Sequence, residues 1–546
     1  MKKNLVTLLL FFGVIHQVTA TNYYVRTDGN DSNNGLSNTP AGAWRSINTA
    51  LYGYANRGGY PGGNQGVPML PGDTLWVNDG YYQEDGYTFG LKIDGIMGTN
   101  TNRFVLKAIN KGAVQLELTS QFNAFNIINS KGIVIDGFDI FAPANSTNIH
   151  SGIIIDDSEF VTIRNCKLHN FGLSGVGGNG QNIIIENNIV FNNSIRNPGN
   201  GSGINFYHPK KISNNTLEGG YGHIIRGNTV YGNYCEFFYT NVNGNFGPPT
   251  DGNGIILDDW NFTQQLQGAG VPYIIPALIE NNICFNNGGS GITIYNTSNV
   301  TIRNNTIFKN SWVVSQYASV EYPASGILAL CEPGFGDNIT IENNISMTDP
   351  NLHPLVTMGI SSKDVTNITI KNNYIDKLSF PLGPVPTPNI IGTNPEFVNP
   401  SINPLTTNFR LLNSSPVINA GFNSNAPTID FDGNPRPFDG TVDIGAFEYQ
   451  NVISICFPPG VTGVALESTL GITTLDRGND SNWITSRKNG YLVLESKTKG
   501  FVIPVMNHPE TTIIPAMEGM IVYDSDNFVI KLYNGTTWIS IVQSCN

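Results

Sequence analysis

Charged side chains are scarce in this sequence. Asp, Glu, Lys and Arg make up 13% of the 546 residues, and the excess of acids gives a formal net charge of −12. A field of that sign argues against nucleic acid as a partner, because phosphate binding requires clustered Lys and Arg. It is compatible with a protein that holds divalent cations.

Cysteine is also rare, with six residues, no CxxC motif and no metal-ligand spacing. Cys456 and Cys545 bracket the last segment and are candidates for a disulfide, which export from the cytoplasm would permit. Cys166 and Cys284 lie beside apolar positions, so we expect them to be buried free thiols.

Long apolar runs are absent beyond the first twenty residues. There, Lys2 and Lys3 precede an apolar run from Leu5 to Val14 and a Val-Thr-Ala sequence that ends at Ala20. This is the pattern of a signal peptide over residues 1–20. No later stretch approaches the roughly 18 apolar residues of a membrane span. We therefore expect a secreted or cell-surface monomer without a membrane span.

Glycine is abundant, with 60 residues, and it begins a recurring unit. Each unit is Gly, an apolar residue, a variable residue, an apolar or small residue and a polar pair. The copies are Gly152–Asp157, Gly203–His208, Gly254–Asp259, Gly291–Asn296, Gly326–Cys331 and, loosely, Gly359–Asp364.

A second unit has β-branched residues, a polar residue, an Asn pair and further apolar residues. Its copies are Ile183–Val190, Ile224–Val230, Leu278–Ile283, Val300–Ile307, Ile339–Ile345 and Ile368–Ile375. Asn282 and Asn305 are 23 residues apart, whereas the gap of 54 residues from Asn228 to Asn282 indicates one or more turns with insertions. A period near 22 with several short β segments predicts a parallel β-solenoid with an inward Asn ladder.

The two ends of the repeat region differ from its middle. Trp44, Ile47, Ala50 and Leu51 have helical spacing, and this predicts a short helix that covers the first coil. The repeat weakens after residue 380. Residues 456–546 have a different rhythm, with apolar runs after Gly490, Gly500 and Gly519 and at Leu532. This predicts a separate small β module.

Several of these segments resemble the pectate-lyase-like superfamily of right-handed parallel β-helix proteins. The similarity rests on Tyr23–Gly35, Trp44–Ile47, the turn Pro71–Thr74, the Asn ladder and the closing segment Asp443–Tyr449. The resemblance implies an all-β fold, a right-handed single-stranded parallel β-helix with an N-terminal capping helix and a small C-terminal β module. The implied domains are a signal peptide at 1–20, the β-helix at 21–450 and the module at 451–546. It further implies a secreted bacterial protein, extracellular or periplasmic, that acts on carbohydrate.

The copy at residues 251–260 is the one that carries three carboxylates and a tryptophan. Strand alternation predicts that Ile255 and Leu257 point inward, that Asp258 points outward and that Asp259 begins the turn. The column of Asp258 is predicted to hold Asp156, Asn179, Tyr207, Tyr295, Leu330 and Lys363. The column of Asp259 is predicted to hold Asp157, Gly180, His208, Asn296 and Cys331.

Candidate roles follow from these residue types. The predicted catalytic residues are Asp258, Asp259, Lys210 and His208; the predicted substrate-binding residues are Tyr207, Tyr295, Trp260 and Asp156; the predicted Ca²⁺ ligands are Asp251, Asp258 and Asp259. Insertions at about 196–202, 233–250 and 260–275 would form the walls of a cleft. The alternative is a purely structural role, in which the Asp pairs cap turns and the tyrosines stack on each other.

Three functions fit this face. The first is a polysaccharide lyase that cleaves an acidic glycan by Ca²⁺-assisted β-elimination, with neutral Lys210 or His208 as the base. The second is a glycoside hydrolase, in which two carboxylates act as acid and base; Asp156 lies three coils from Asp258, so Asp258 would pair with Asp259 or Asp251. The third is a non-catalytic surface or adhesion protein.

Overall fold

The computed structural model describes most of the chain. The described residues are 20–52, 69–83, 90–118, 123–144, 146–147, 150–197, 199, 201–236, 239–240, 246–263, 270–317, 324–331, 336–359, 367–377, 388–392, 394–450, 467–470, 485–488, 503–527 and 529–541. No helix in this part of the chain is long and apolar enough to cross a membrane.

Three long parallel sheets dominate the structure, with 11, 11 and 9 strands. Sheet A contains Asn22–Val25, Thr74–Val77, Phe104–Ala108, Lys131–Asp136, Glu159–Arg164, Gln181–Glu186, His223–Arg226, Ala277–Glu280, Val300–Arg303, Ile339–Glu342 and Ile368–Lys371. Sheet B contains Gly80–Gln83, Val114–Glu117, Phe138–Phe141, Lys167–His169, Ile189–Phe191, Thr229–Tyr231, Ile283–Phe285, Thr306–Phe308, Ile345–Met347, Tyr374–Ile375 and Ile390–Ile391. Sheet C contains Leu91–Asp94, Phe125–Ile128, Ile153–Asp156, Val176–Gly178, Ile204–Tyr207, Ile255–Asp258, Ile292–Tyr295, Ser325–Cys331 and His353–Gly359.

Each coil visits sheets A, B and C in turn, so the predicted solenoid is confirmed. Alternate residues of each strand point into one continuous apolar core, as Ile183 and Ile185 do in sheet A. The glycine before each sheet C strand is required because successive coils approach closely there. A Cβ on Gly203 would lie 2.8 Å from the carbonyl oxygen of Gly254, and one on Gly254 would lie 2.6 Å from that of Gly291. Any larger residue would therefore push the coils apart.

The Asn pairs form the turn between sheets A and B. The first Asn of a pair adopts a left-handed conformation, with φ of 54° at Asn281 and 50° at Asn304. The second Asn points inward and builds the predicted ladder, in which the side-chain amide of Asn228 donates to Asn282 Oδ1 at 2.9 Å and that of Asn282 donates to Asn305 Oδ1 at 3.0 Å. The 54-residue gap between Asn228 and Asn282 is thus one coil with a long insertion.

Two further ladders cover the outside of the coils. The outer edge of sheet A alternates in charge from strand to strand, and its members are Lys107, Asp136, Arg164, Glu186, Arg226, Glu280, Arg303, Glu342 and Lys371. Sheet B carries a stack of rings whose centroids are 4.4 to 5.1 Å apart, formed by Phe141, His169, Phe191, Tyr231 and Phe285. Both ladders stabilise the stacking of coils through cross-strand pairs.

The N-terminal end is capped by the α-helix Ile47–Tyr52, which confirms the predicted capping helix. The other regular elements of the first unit are the 3₁₀ turns Glu218–Gly220 and Val314–Gln316 and the antiparallel pairs Tyr239–Thr240 with Phe246–Gly247 and Phe397–Asn399 with Asn408–Leu411. Cys166, Cys235 and Cys284 are buried free thiols. The predicted Cys456–Cys545 disulfide and the signal peptide lie outside the described residues, apart from Ala20.

The chain divides into two compact units, residues 1–452 and 453–546. In the second unit, Glu467–Leu470 pairs with Thr485–Lys488, and a four-stranded sheet contains Val505–Met506, Ile521–Asp524, Val529–Tyr533 and Trp538–Ile541. A short helix, Pro509–Thr512, precedes the second strand of that sheet. The expected strands after Gly519 and at Leu532 are confirmed, whereas those after Gly490 and Gly500 fall mainly outside the described residues.

Candidate active site

The predicted outward column on sheet C forms around Asp258. Asp258 is paired with Tyr207 on the preceding strand and with Tyr295 on the following strand, and Tyr295 is paired in turn with Leu330. Leu330 is paired in turn with Met358. The prediction that Lys363 is the last member of the column was therefore wrong. The reason is that Gly359 ends the strand His353–Gly359 instead of beginning one.

Asp258 ends its strand with a partly exposed carboxyl group. Among the described residues, none donates a hydrogen bond to this carboxyl. Burial raises the pKa of Asp258 well above its usual range, and the nearby charges of Asp251 and Asp259 raise it further. A raised pKa favours the protonated carboxyl, which can donate its proton.

Asp251 supplies the second carboxyl of the site. Burial raises the pKa of Asp251 to about 7, partly offset by a hydrogen bond from Asn253. A glycine turn holds this residue in place, because Gly252 has a φ of 81° and its N–H donates to the carbonyl of Gly201 at 2.8 Å. Its charge raises the pKa of Asp258, so the two carboxyl groups interact electrostatically.

Asp259 does not lie on the outward face of sheet C around Tyr207, Asp258 and Tyr295, which we call the groove. Its side chain is fully buried, and its backbone has a φ of 50° in the turn that follows the strand. Oδ2 lies 2.7 Å from Nε2 of His208, and Oδ1 accepts bonds from the backbone N–H of Thr263 at 2.8 Å and its hydroxyl at 2.7 Å. Asp259 therefore anchors a histidine and a loop. It begins the turn as predicted, but its burial does not agree with the predicted catalytic role.

The predicted calcium site of three carboxylates does not form for the same reason. Both oxygens of Asp259 already accept hydrogen bonds, so two of the three predicted ligands, Asp251 and Asp258, remain to bind a cation. In the described part of the chain, no group of three or more His, Cys, Asp or Glu residues could hold a metal ion. The residues present thus do not fit the calcium ion that the three carboxylates led us to expect.

His208 is held rigidly beside the groove. Its ring lies between Tyr207, with a centroid distance of 3.6 Å, and Phe262, at 4.4 Å. The ring is nearly buried, and Asp259 fixes the orientation of its Nε2. The structure thus brings His208 next to Tyr207 and Asp258, as predicted, but leaves little of the imidazole open to a substrate.

Lys210 points away from Asp258. Its ammonium donates to Oδ1 of Asp157 at 2.7 Å, and its backbone N–H donates to the carbonyl of Asn179 at 2.8 Å. Asp157 lies two coils before the strand that carries Tyr207. Lys210 is thus engaged in an ion pair on the groove's outer edge, which is an unfavourable starting point for a neutral general base.

Trp260 was expected to bind substrate, but its indole is fully buried. Its Nε1–H donates to the carbonyl of Phe206 at 2.9 Å, and its ring packs against His223 and Tyr273. The left-handed turn at Asp259 directs the next side chain into the core. In this structure Trp260 is a core residue and does not line the groove.

The remaining predicted residues lie along the groove. Tyr207 is 41% exposed and presents its ring beside Asp258, while Tyr295 is partly buried against Leu328 and Leu330. Asp156 lies three coils before Asp258, and burial raises its pKa. Asp156 therefore cannot act on the same bond as Asp258, and it marks the far end of the face.

Sequence reasoning missed the residues that support the site. Phe262 and Thr263 come from the insertion after Asp259, and no periodic pattern marks them. The turn role of Asp259 did leave a signal. Its column holds Asp157, His208 and Asn296, all with positive φ, and Asp, Asn and His are the residue types that tolerate this conformation best.

Comparisons with known proteins agree with this architecture. Residues 123–345 match a family model described as the right handed beta helix region, and residues 481–546 match one described as a phage tail like trimerisation region. No curated protein sequence matches the chain.

Solved structures also resemble the chain. A pectate lyase, Pel9A, shares 18% identity over 79% of this chain and 97% of its own, with a TM-score of 0.41. An alginate lyase from Paenibacillus sp. str. FPU-7 shares 15% identity over 63% of this chain and 95% of its own, with a TM-score of 0.37. A GH136 lacto-N-biosidase from Eubacterium ramulus shares 14% identity over 65% of this chain and 56% of its own, with a TM-score of 0.37. The three parallel sheets and the family match over residues 123–345 together show that the unit at residues 1–452 has the fold of a right-handed parallel β-helix.

Proposed function

We propose that the protein is a carbohydrate-active enzyme that cleaves a glycosidic bond by acid–base catalysis with Asp258 and Asp251. The observation that carries this proposal is that Asp258, which pairs with the exposed Tyr207 on the outward face of sheet C, interacts electrostatically with Asp251, and that both carboxyl groups have raised pKa values. Strongly perturbed carboxyls that share a groove are typical of catalytic sites.

One carboxyl group would act as the general acid and the other as the base or nucleophile, as in glycoside hydrolases. Asp258, whose pKa is raised by burial and by the charges of Asp251 and Asp259, would act as the acid and donate a proton to the leaving oxygen. Asp251 would act in its ionised form and either activate water or attack the anomeric carbon. Hydrolases use two carboxyl groups about 5 to 10 Å apart. The electrostatic interaction between Asp251 and Asp258 makes them the pair that we propose for this role.

The surrounding side chains support a sugar-binding role. Tyr207 and Tyr295 flank Asp258 on neighbouring strands, which are about 4.8 Å apart in a parallel sheet. Tyrosine offers an apolar ring face with a polar tip, and this combination suits a sugar ring with its hydroxyl groups. Asp156 and the Asp157–Lys210 pair extend the polar groove by two to three coils.

The lyase mechanism has less support from this geometry. It needs a calcium site, which the donor set around Asp259 does not fit, and a neutral base, whereas Lys210 is bound to Asp157. A purely structural rod would gain nothing from two crowded carboxyls, since burying them opposes folding at neutral pH.

A panel of neutral and acidic polysaccharides tests the proposal. The secreted chain should release reducing ends from at least one glycan, without the ultraviolet absorbance of an unsaturated product and without loss of activity in a chelator. An unsaturated product would establish a lyase instead. Binding of a glycan without any cleavage would favour the adhesion protein.

Export and domain organisation complete the proposal. We infer that residues 1–20 direct secretion to the cell surface or beyond, and that the β-helix ends near residue 450. The match of residues 481–546 to a trimerisation region supports a trimer, in place of the expected monomer.

A further inference from the structure

The four-stranded sheet of the C-terminal unit has two very different faces. Residues that pair across neighbouring strands share a face, and the pairs here are Val505 with Tyr523, Ile521 with Leu532, Tyr523 with Ile530, Ile530 with Ile541 and Leu532 with Ile539. One face is therefore composed wholly of apolar and aromatic side chains. We call it the apolar face, and its members are Val505, Ile521, Tyr523, Ile530, Leu532, Ile539 and Ile541.

The apolar face is open. Val505 is 60% exposed, Ile541 47% and Ile521 45%, and Ile530 and Ile539 are exposed as well. Monomeric soluble proteins rarely present contiguous apolar patches beyond a few hundred Å², and larger patches mark interaction sites. Leaving such a face in water would cost about 25 cal/mol for each Å² that a partner could cover.

The side chains of the opposite face make ion pairs and ring contacts with one another and with other residues of the module. Lys531 donates to Oδ2 of Asp524 at 2.7 Å and also pairs with Glu510, while Tyr533 and Trp538 pack against each other at 5.4 Å. Val522 on this face is buried. The opposite face thus has internal contacts, whereas no described residue packs over the apolar face.

We propose that the apolar face is the surface through which three copies of this chain assemble, with the faces of three modules turned toward a common axis. This inference rests on the assembly part of the proposed function and adds the surface that carries it. Two observations converge on the same occupant. The face is uncharged, so it is complementary to itself, and it lies within the segment that matches a trimerisation region.

Three flat apolar faces around a threefold axis enclose a closed core, and closure prevents growth into fibres. The trimer would join three β-helices, so three grooves could engage one polymer. Linked sites raise the effective affinity for a repetitive polymer by a factor of about 10² to 10⁴ without any new contact.

The oligomeric mass of the full secreted chain, measured by light scattering after size exclusion, tests the proposal. The wild type should have three times the chain mass. The variant with Ile530→Asp and Ile539→Asp should have the mass of one chain. Ser540→Asp is the matched control, because Ser540 lies between Ile539 and Ile541 in sequence, is exposed and belongs to the opposite face. It should remain trimeric.

The outcomes separate the two claims. A monomeric or dimeric wild type overturns both the trimer and its surface. If the wild type is a trimer, either of two results contradicts the proposed assembly surface but leaves the trimer intact. These results are a trimeric double Asp variant and a monomeric Ser540→Asp control. Ile530→Thr guards against misfolding, since Thr keeps a β-branched side chain suited to the strand. It should give a folded trimer by circular dichroism that dissociates on dilution at least ten times more readily than wild type. A Thr variant with wild-type dissociation contradicts the proposal.

Discussion

Nε2 of His208 lies 2.7 Å from Oδ2 of Asp259, across two neighbouring coils of the β-helix. The pair is nearly excluded from solvent, and Thr263 occupies the other oxygen of the carboxyl. The buried carboxylate of Asp259 therefore holds the ring of His208 on the preceding coil and the loop at Thr263 on its own coil. The preceding residue, Asp258, lies on the outward face of sheet C instead.

Replacing Asp259 with alanine should destabilise the protein by about 2 to 3 kcal/mol, because His208 and Thr263 would lose a buried charged acceptor. Urea unfolding, followed by circular dichroism, measures the effect. The control is Asp157→Ala at the equivalent turn, where the carboxylate is exposed and the loss should stay below about 1 kcal/mol. Equal losses in the two variants would contradict the assigned role of Asp259.

Asp258→Asn should make the protein more stable at alkaline pH. A carboxyl whose folded pKa is raised favours the folded state below its ordinary pKa, and this contribution is lost as the pH rises through the raised value. The variant should match wild type near pH 4 and exceed it by at least about 1 kcal/mol at pH 8. Thermal unfolding across this range provides the comparison. A difference that does not change with pH would show that Asp258 is not a crowded acid.

Removing the side-chain amide of one Asn in the ladder should lower the free energy of unfolding. The amide of Asn228 donates to Asn282 and to the carbonyl of Ile185, and its oxygen accepts from Asn188. Asn228→Ala would leave several buried groups without partners and should cost about 2 to 4 kcal/mol.

Asn110→Ala is the matched control for this rung, since Asn110 is exposed and makes a single side-chain bond to Asp79. It should cost less than about 1 kcal/mol. Comparable denaturant midpoints for the two variants would argue against the ladder as a main source of stability.

His223 should make the protein sensitive to acid. Its imidazole points into the core against Phe206, Trp260 and Tyr273, and burial lowers its pKa to about 3. The unfolded chain takes up this proton near pH 6.5 and the folded chain does not, so stability is lost as the pH falls below that value. His223→Leu should flatten the decline between pH 6 and pH 4 in thermal unfolding. An unchanged slope would assign acid sensitivity to other groups.

The sequence predicted the architecture well because the repeat imposes its own geometry. The spacing of Asn282 and Asn305 predicted one coil, and strand alternation placed Asp258 outward in a column with Tyr207 and Tyr295. Both inferences rely on periods that every coil repeats. They required no knowledge of the insertions.

The errors arose where the chain leaves the repeat. The direction of Trp260 depends on the left-handed turn at Asp259, and the partner of Lys210 lies two coils away along a path that no local pattern specifies. The calcium site failed because Asp259 has buried partners that come from other coils and loops. Side chains in turns therefore need the three-dimensional structure, whereas strand positions do not.

Enzyme kinetics test the proposed roles of Asp258 and Asp251 in cleavage of the glycan. The measurement is the rate of reducing-end release from a glycan that the wild type cleaves, compared with Asp258→Asn, Asp251→Asn and the control Asp28→Asn, whose exposed carboxylate pairs with Arg26. The account predicts losses of about 10² to 10⁴ for the first two and little change for the control. Wild-type rates in Asp258→Asn would contradict it.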